Sequence, residues 1–230
     1  MNRKRLLIVS EQPQSPGAEA YRIFRTNIQF SKVGSELKTI LFTSSCAGEG
    51  KSISAANTAI ALAQSGKKVI LLDCDLRRPV QQTLFDKIAI GLTNILCDGI
   101  SPNLGIQETN QENLYLVTSG PIPPNPSELL SSIKFNETLT YLKTKADYLI
   151  IDSPPILPVS DACVLTSKVD GTILVVGAGI VRLDMAQSAK EAIERAKGSL
   201  LGVMVNRVGI VNSDYYGYCN ETKRRKIFER

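Results

Sequence analysis

Lys51 and Ser52 follow two closely spaced glycines, Gly48 and Gly50, and open an alanine-rich stretch. Upstream lies the apolar run Thr39-Ile40-Leu41-Phe42-Thr43, joined to them by Ser44-Ser45-Cys46-Ala47-Gly48-Glu49-Gly50. An apolar run, a glycine-rich loop and a helix start, in that order, let backbone N–H groups cradle a phosphate at the positive end of a helix dipole. Gly48 and Gly50 allow close approach because they carry no Cβ. Lys51 is placed to reach the β- and γ-phosphates of a nucleotide, and the Ser52 hydroxyl to ligate Mg²⁺. Ala47, Glu49 and Ile53 complete the stretch expected around the phosphates. Ser45 replaces the first glycine of the usual G-x-x-x-x-G-K-[ST] pattern.

Two acidic motifs end further apolar runs. Val69-Ile70-Leu71-Leu72 leads into Asp73-Cys74-Asp75, and Tyr148-Leu149-Ile150-Ile151 leads into Asp152-Ser153-Pro154-Pro155. Four-residue apolar runs suit strands buried on both faces of a parallel sheet. Ligands of such sheets bind beyond the carboxyl ends of the strands, so Asp73, Asp75 and Asp152 are expected on the edge that carries the glycine loop. A single strand-end Asp is commonly a turn or cap residue. Three on one edge suggest carboxylates that hold Mg²⁺ directly or through water.

The elements that must position these groups alternate. Ser15-Pro16 reads as a helix start, with Ala20, Ile23, Phe24 and Ile28 on one face and Glu19, Arg22 and Arg25 on another. Ser52 to Gln64 reads as a helix, Asn113 to Thr118 as a strand, and Asn125-Pro126-Ser127-Glu128 as the capped start of a helix over 128–143. A short helix over 159–168, a strand at 171–176, a helix over 183–197 and a strand at 200–206 follow. This pattern predicts an α/β fold with a mostly parallel central sheet and helices on both faces. The 230 residues fit one domain, with 1–14 as a loose N-terminal arm and about 208–230 as a mobile tail carrying Tyr215, Tyr216 and Tyr218.

Composition closes several routes. The chain has no histidine, which removes the Ser-His-Asp triad and the commonest zinc ligand. Its five cysteines show no C-x-x-C spacing, which fits a reduced, cytoplasmic setting. The net charge of +5 is mild, and positive residues gather at the ends, as Arg3-Lys4-Arg5 and Lys223-Arg224-Arg225-Lys226. No basic face interleaved with aromatics points to nucleic acid. No stretch approaches the ~18 apolar residues of a membrane span, so a membrane role would require a partner.

Together these motifs resemble the bacterial tyrosine kinases of capsule and exopolysaccharide synthesis, which are P-loop proteins. The resemblance rests on Ala47-Gly48-Glu49-Gly50-Lys51-Ser52, on Ile70-Leu71-Leu72-Asp73-Cys74-Asp75-Leu76-Arg77, and on Leu149-Ile150-Ile151-Asp152-Ser153-Pro154-Pro155. It extends to the proline loop Gly120–Pro126 and to the tyrosine cluster. It implies ATP and Mg²⁺ as cofactors and autophosphorylation of Tyr215, Tyr216 and Tyr218 by a neighbouring subunit. It implies a homo-oligomeric ring, an octamer, joined through Glu19, Arg22 and Arg25. A separate membrane-bound activator would recruit the chain to the inner face of the plasma membrane. A cognate tyrosine phosphatase and protein substrates in sugar-nucleotide metabolism are further implied partners. Asn206 is similar to the residue that reads adenine in related P-loop proteins.

A tyrosine hydroxyl titrates near pH 10 and needs a carboxylate to accept its proton. Asp75 is the first choice and Asp73 the second. A dimerising ATPase switch of the partitioning and cell-division type is the alternative. Those proteins carry an extra lysine early in the loop, where this chain has Cys46. A small-molecule kinase is a weaker third reading.

Overall fold

A computed structural model describes residues 6–31, 37–88 and 90–209; Tyr215, Tyr216 and Tyr218 lie outside them. Seven strands form one sheet: β1 Thr39–Ser44, β2 Val69–Asp73, β3 Gln107–Glu108, β4 Leu114–Val117, β5 Tyr148–Asp152, β6 Gly171–Gly177 and β7 Leu200–Asn206. Their spatial order is β3-β4-β2-β5-β1-β6-β7. Every pairing is parallel except β3 with β4. The two-residue β3 gives no periodic signal in sequence; Glu108 pairs with Tyr115 at the sheet edge.

Alternating side chains sort into cores on opposite faces. Ile40, Phe42, Val69, Leu71 and Ile150 pack with the alanines and Ile60 of α3 (Lys51–Gln64). Leu41, Ile70, Leu72, Leu149 and Ile151 pack on the other face with Phe135, Leu139 and Leu142 of α7 (Ile133–Lys143). A strand buried on both faces must be apolar at every position, which is why the runs before the aspartates lack a polar alternation. Alanine suits α3 because all of its residues but Ile53 and Gln64 are buried, and small side chains let the helix lie close to the sheet.

The N-terminal stretch corrects one expectation. Residues 8–11 form a short helix, α1 (Ile8–Glu11), rather than a loose arm. Val9 is fully buried, and its N–H donates to Asn57 Oδ1 at 3.1 Å, while Asn57 Nδ2 donates to the Leu6 carbonyl. α2 (Pro16–Phe30) begins as expected, with Ser15 Oγ accepting from Ala18 N–H. Its inward face differs from the one read off the spacing. Ala18 and Ile28 are buried and Phe24 packs edge-on against Phe42, whereas Ala20 and Ile23 face outward.

The helix expected over 128–143 is two: α6 (Pro126–Ser131) and α7. Ser132 separates them in an extended conformation and caps α7 by accepting from Phe135 N–H, so a serine that looks internal is a cap. Asn125 does not cap α6 through its side chain; its amide donates to Glu128 instead. Between β2 and β6 lie also α4 (Gln81–Leu84), a π-helical turn at Asn94–Asp98, α5 (Pro102–Gly105) and α8 (Asp161–Thr166), and α9 (Leu183–Arg195) precedes β7.

Candidate active site

The register of the central strands brings the motifs together. Asp73 is the direct neighbour of Asp152 across β2 and β5, and Phe42 that of Asp152 across β1 and β5. The loop leaving β1 therefore rises beside both acidic strand ends. Gly48 and Gly50 take φ of +89° and +94°, a left-handed region that favours glycine. Ala47, Gly48, Gly50, Lys51, Ser52 and Asp75 line one cavity of about 740 Å³. At its wall, the loop N–H groups of Gly48 and Gly50 donate to no other described group. That leaves them for an anion.

The loop is held from behind. Glu49 is fully buried, and its carboxylate accepts from Cys46 N–H at 2.6 Å and from Gly177 N–H at 2.9 Å. Its side chain thus fastens the loop to the end of β6 instead of facing a ligand. Asn206 Nδ2 donates to the Glu49 carbonyl at 2.9 Å, and Arg207 Nη2 to the Gly48 carbonyl at 2.8 Å. Asn206 Oδ1 accepts from Arg207 N–H, so both ends of that side chain are engaged within the chain. Reading adenine would require exchanging those bonds.

Lys51 sits at the centre of the carboxylates. Its Nζ lies 2.8 Å from Asp75 Oδ2, 3.0 Å from Ser52 Oγ and 3.5 Å from Asp152 Oδ1. Burial works against its charge, but Asp152 and Asp75 outweigh that and hold its pKa above the ordinary lysine value. Burial raises Asp152, opposed by Lys51 and by hydrogen bonds from Ser52 and Gln81. Burial and the neighbouring Asp152 charge push Asp73 well above the usual carboxylate range.

Asp73 and Asp75 are not equivalent. Asp73 accepts from Asp75 N–H with one oxygen and from Val80 and Gln81 N–H with the other. It shapes the loop after β2 and does not line the cavity. Asp75 has one oxygen on Arg78 N–H and the other on Lys51, and it does line the cavity.

Gln81 and Asp161, both near the site, escaped the sequence reading. Gln81, fully buried, donates through Nε2 to the Ser52 carbonyl and to Asp152 Oδ2, both at 2.9 Å. Arg77 forms a bidentate pair with buried Asp161, at 2.8 and 3.0 Å, which also accepts from Ser127 Oγ. Burial raises the Asp161 carboxyl, but the Arg77 and Ser127 hydrogen bonds outweigh it and leave its pKa below the ordinary value. The only available signal was the D-x-D-x-R spacing, which names Arg77 and not its partner. Among the oligomerisation candidates, Glu19 pairs with Arg22 at 2.6 Å, while Arg25 Nη1 donates to the Ala61 carbonyl of α3 at 3.3 Å.

A family model described as an AAA domain matches residues 37–197. Tyrosine-protein kinase YwqD of Bacillus subtilis is 44% identical over 217 residues, covering 94% of this chain and 91% of that one. The chain belongs to the bacterial tyrosine kinases. The chimerical protein CapA2B2 superposes with a TM-score of 0.85 at 39% identity, covering 89% of this chain and 90% of that one. The kinase domain of the Escherichia coli tyrosine kinase ETK gives 0.83 at 29% identity, covering 90% and 83%. A more distant likeness, to MinD of Pyrococcus horikoshii in complex with Mg-ADP, has a TM-score of 0.66 at 26% identity over 76% of this chain and 72% of that one. This kinase is therefore a P-loop protein that binds nucleotide, and the switch-ATPase alternative is not favoured.

The residues present fit Mg²⁺. Ser52, Asp75 and Asp152 offer only oxygen donors, and they already converge on one cation, the Lys51 ammonium. Among the described residues no group of three or more Cys, Asp or Glu side chains is placed to hold a metal ion by itself. An open arrangement suits Mg²⁺, which keeps several waters and binds through one or two carboxylates plus substrate phosphates. Asp73, whose oxygens both accept backbone N–H groups, fits an indirect role better than a direct ligand.

Proposed function

We propose that this kinase transfers the γ-phosphoryl group of ATP to Tyr215, Tyr216 and Tyr218 of a neighbouring copy, and that it acts in capsule and exopolysaccharide synthesis. The observation that carries the reading is the meeting of Lys51, Ser52, Asp75 and Asp152 at the mouth of a loop with free N–H donors.

Loop N–H groups and Lys51 bind the β- and γ-phosphates, and Lys51 leaves its carboxylate partners to do so. Ser52 and Asp152 hold Mg²⁺, with Asp73 behind them; when bound, the cation neutralises charge developing on the transferred group. Asp75 accepts the tyrosine proton. Of the two candidates it alone lines the cavity, and its oxygen toward Lys51 is released when the lysine turns to phosphate.

Attack by a neighbour's tyrosine requires assembly, which Glu19, Arg22 and Arg25 of α2 would support in a ring. Among the described residues no helix is long and apolar enough to cross a membrane. A separate membrane-bound activator is the corresponding partner, with a tyrosine phosphatase reversing the modification and protein substrates in sugar-nucleotide metabolism receiving the same phosphate.

Incubation with γ-labelled ATP and mapping of the label tests this. Label on Tyr215, Tyr216 or Tyr218, lost in the triple Tyr→Phe variant, is expected. Release of free phosphate with no labelled protein would favour the ATPase switch. Neither Lys51→Met chains alone nor chains lacking the three tyrosines alone should give label on those tyrosines. Labelling of the Lys51→Met chains only after mixing would show transfer between subunits.

A further inference from the structure

Gln81 touches all three motifs at once. Its side-chain nitrogen donates to the Ser52 carbonyl and to Asp152 Oδ2, and its backbone N–H to Asp73 Oδ2 at 3.1 Å. A backbone carbonyl can only accept, so the orientation of the amide is determined by its partners. That leaves Oε1, which is buried and has no hydrogen-bond partner among the described residues. A buried acceptor without a donor is destabilising unless something else meets it.

The bond to Asp152 has two consequences. It occupies Oδ2, so that Oδ1 is the oxygen presented to the Lys51 ammonium. It also stabilises the ionised carboxylate against burial.

We infer that Gln81 is a positioning residue for the divalent cation: it ties the helix start bearing Ser52 to the strand end bearing Asp152, and offers its free carbonyl to water that arrives with the hydrated ion. The inference rests on the reading of Ser52 and Asp152 as cation ligands. A residue acting this way changes how strongly Mg²⁺ promotes nucleotide binding, whereas one that only fills space changes binding with and without Mg²⁺ alike.

The test is a titration of fluorescent ADP binding against Mg²⁺, with a parallel measurement in EDTA and a thermal midpoint without nucleotide. The variants are Gln81→Met, which keeps length and removes the amide, and Gln81→Asn, which keeps the amide on a shorter stem. Thr83→Ala, exposed on the same helix, is the control. Gln81→Met is expected to raise the Mg²⁺ concentration for half-maximal binding about tenfold, leaving binding in EDTA within about twofold of the parent. Gln81→Asn is expected to fall between, and decides the matter if Gln81→Met does not fold. Parent-like Mg²⁺ dependence in the variants would overturn the inference, as would an equal loss with and without Mg²⁺. Absence of any Mg²⁺ effect in the parent protein would instead remove the ligand assignment on which it stands.

Discussion

The Lys51 ammonium lies 2.8 Å from the Asp75 carboxylate, inside the oxygen set that also includes Ser52 Oγ and Asp152 Oδ1. In the function proposed above, the same lysine is counter-charge to the buried acids and ligand for phosphate. Nucleotide binding would then exchange one buried ion pair for another, which keeps the net cost of charging the site low.

Replacing Lys51 with Met is expected to lower transfer to tyrosine by at least about 100-fold, read by γ-phosphate labelling. It also leaves the acids without their counter-charge. Asp73 and Asp152 are raised on folding, so their contribution favours the native state below the ordinary carboxylate value of about 4 and is lost as pH rises through the folded values. Removing Lys51 enlarges that loss. The difference in thermal midpoint between parent and variant should be small near pH 4 and widen toward pH 7; the reverse trend would contradict the assigned pairing.

Glu49→Gln tests the buried brace of the loop. One amide oxygen cannot serve both Cys46 N–H and Gly177 N–H, so one buried donor is left facing another. Destabilisation of about 1–3 kcal/mol is expected in denaturant unfolding, together with weaker ADP binding. Unchanged stability would mean that the carboxylate does not hold the loop.

Gly50 and Gly48 should respond differently to alanine. A Cβ on Gly50 would lie 2.1 Å from Asn206 Nδ2, displacing the bond to the Glu49 carbonyl, whereas one on Gly48 meets nothing within 4 Å. Both carry the strain of a positive φ, about 1 kcal/mol. Gly50→Ala is expected to weaken ADP binding at least tenfold and Gly48→Ala several-fold less, measured by calorimetry.

Asp161→Asn breaks the pair with Arg77 at a fully buried carboxylate. A cost of about 2–3 kcal/mol is expected at pH 7, discounted because the arginine is partly exposed. Since the Asp161 pKa is depressed on folding, its contribution is present above the ordinary value of about 4 and lost as pH falls through the folded value. The parent and variant stability curves should therefore converge only below about pH 4.

Much of the fold was legible because the strongest signals are local. Apolar runs of β1, β2 and β5, the alanine content of α3 and the two glycines of the loop each follow from neighbours in the chain. Where the reading failed, the deciding partner was remote. α1 forms because Val9 and Leu6 meet Asn57, in the middle of α3 and 48 residues beyond Val9, and nothing in residues 6–11 announces it. The inward face of α2 is chosen by Phe42 and the sheet beneath it, which leave Ile23 outside.

By itself the sequence determined which residue types could handle a nucleotide and on which edge of a parallel sheet they would emerge, since both depend on short spacings and on strand direction. Only the tertiary structure decided how the acids divide: Asp73 turned to backbone N–H groups, Asp75 left facing the cavity, and Asp152 held by a glutamine 71 residues away. The physical reason is that register between β2 and β5, fixed by packing on two faces, sets which side chains share a site, and that register is a property of the whole sheet.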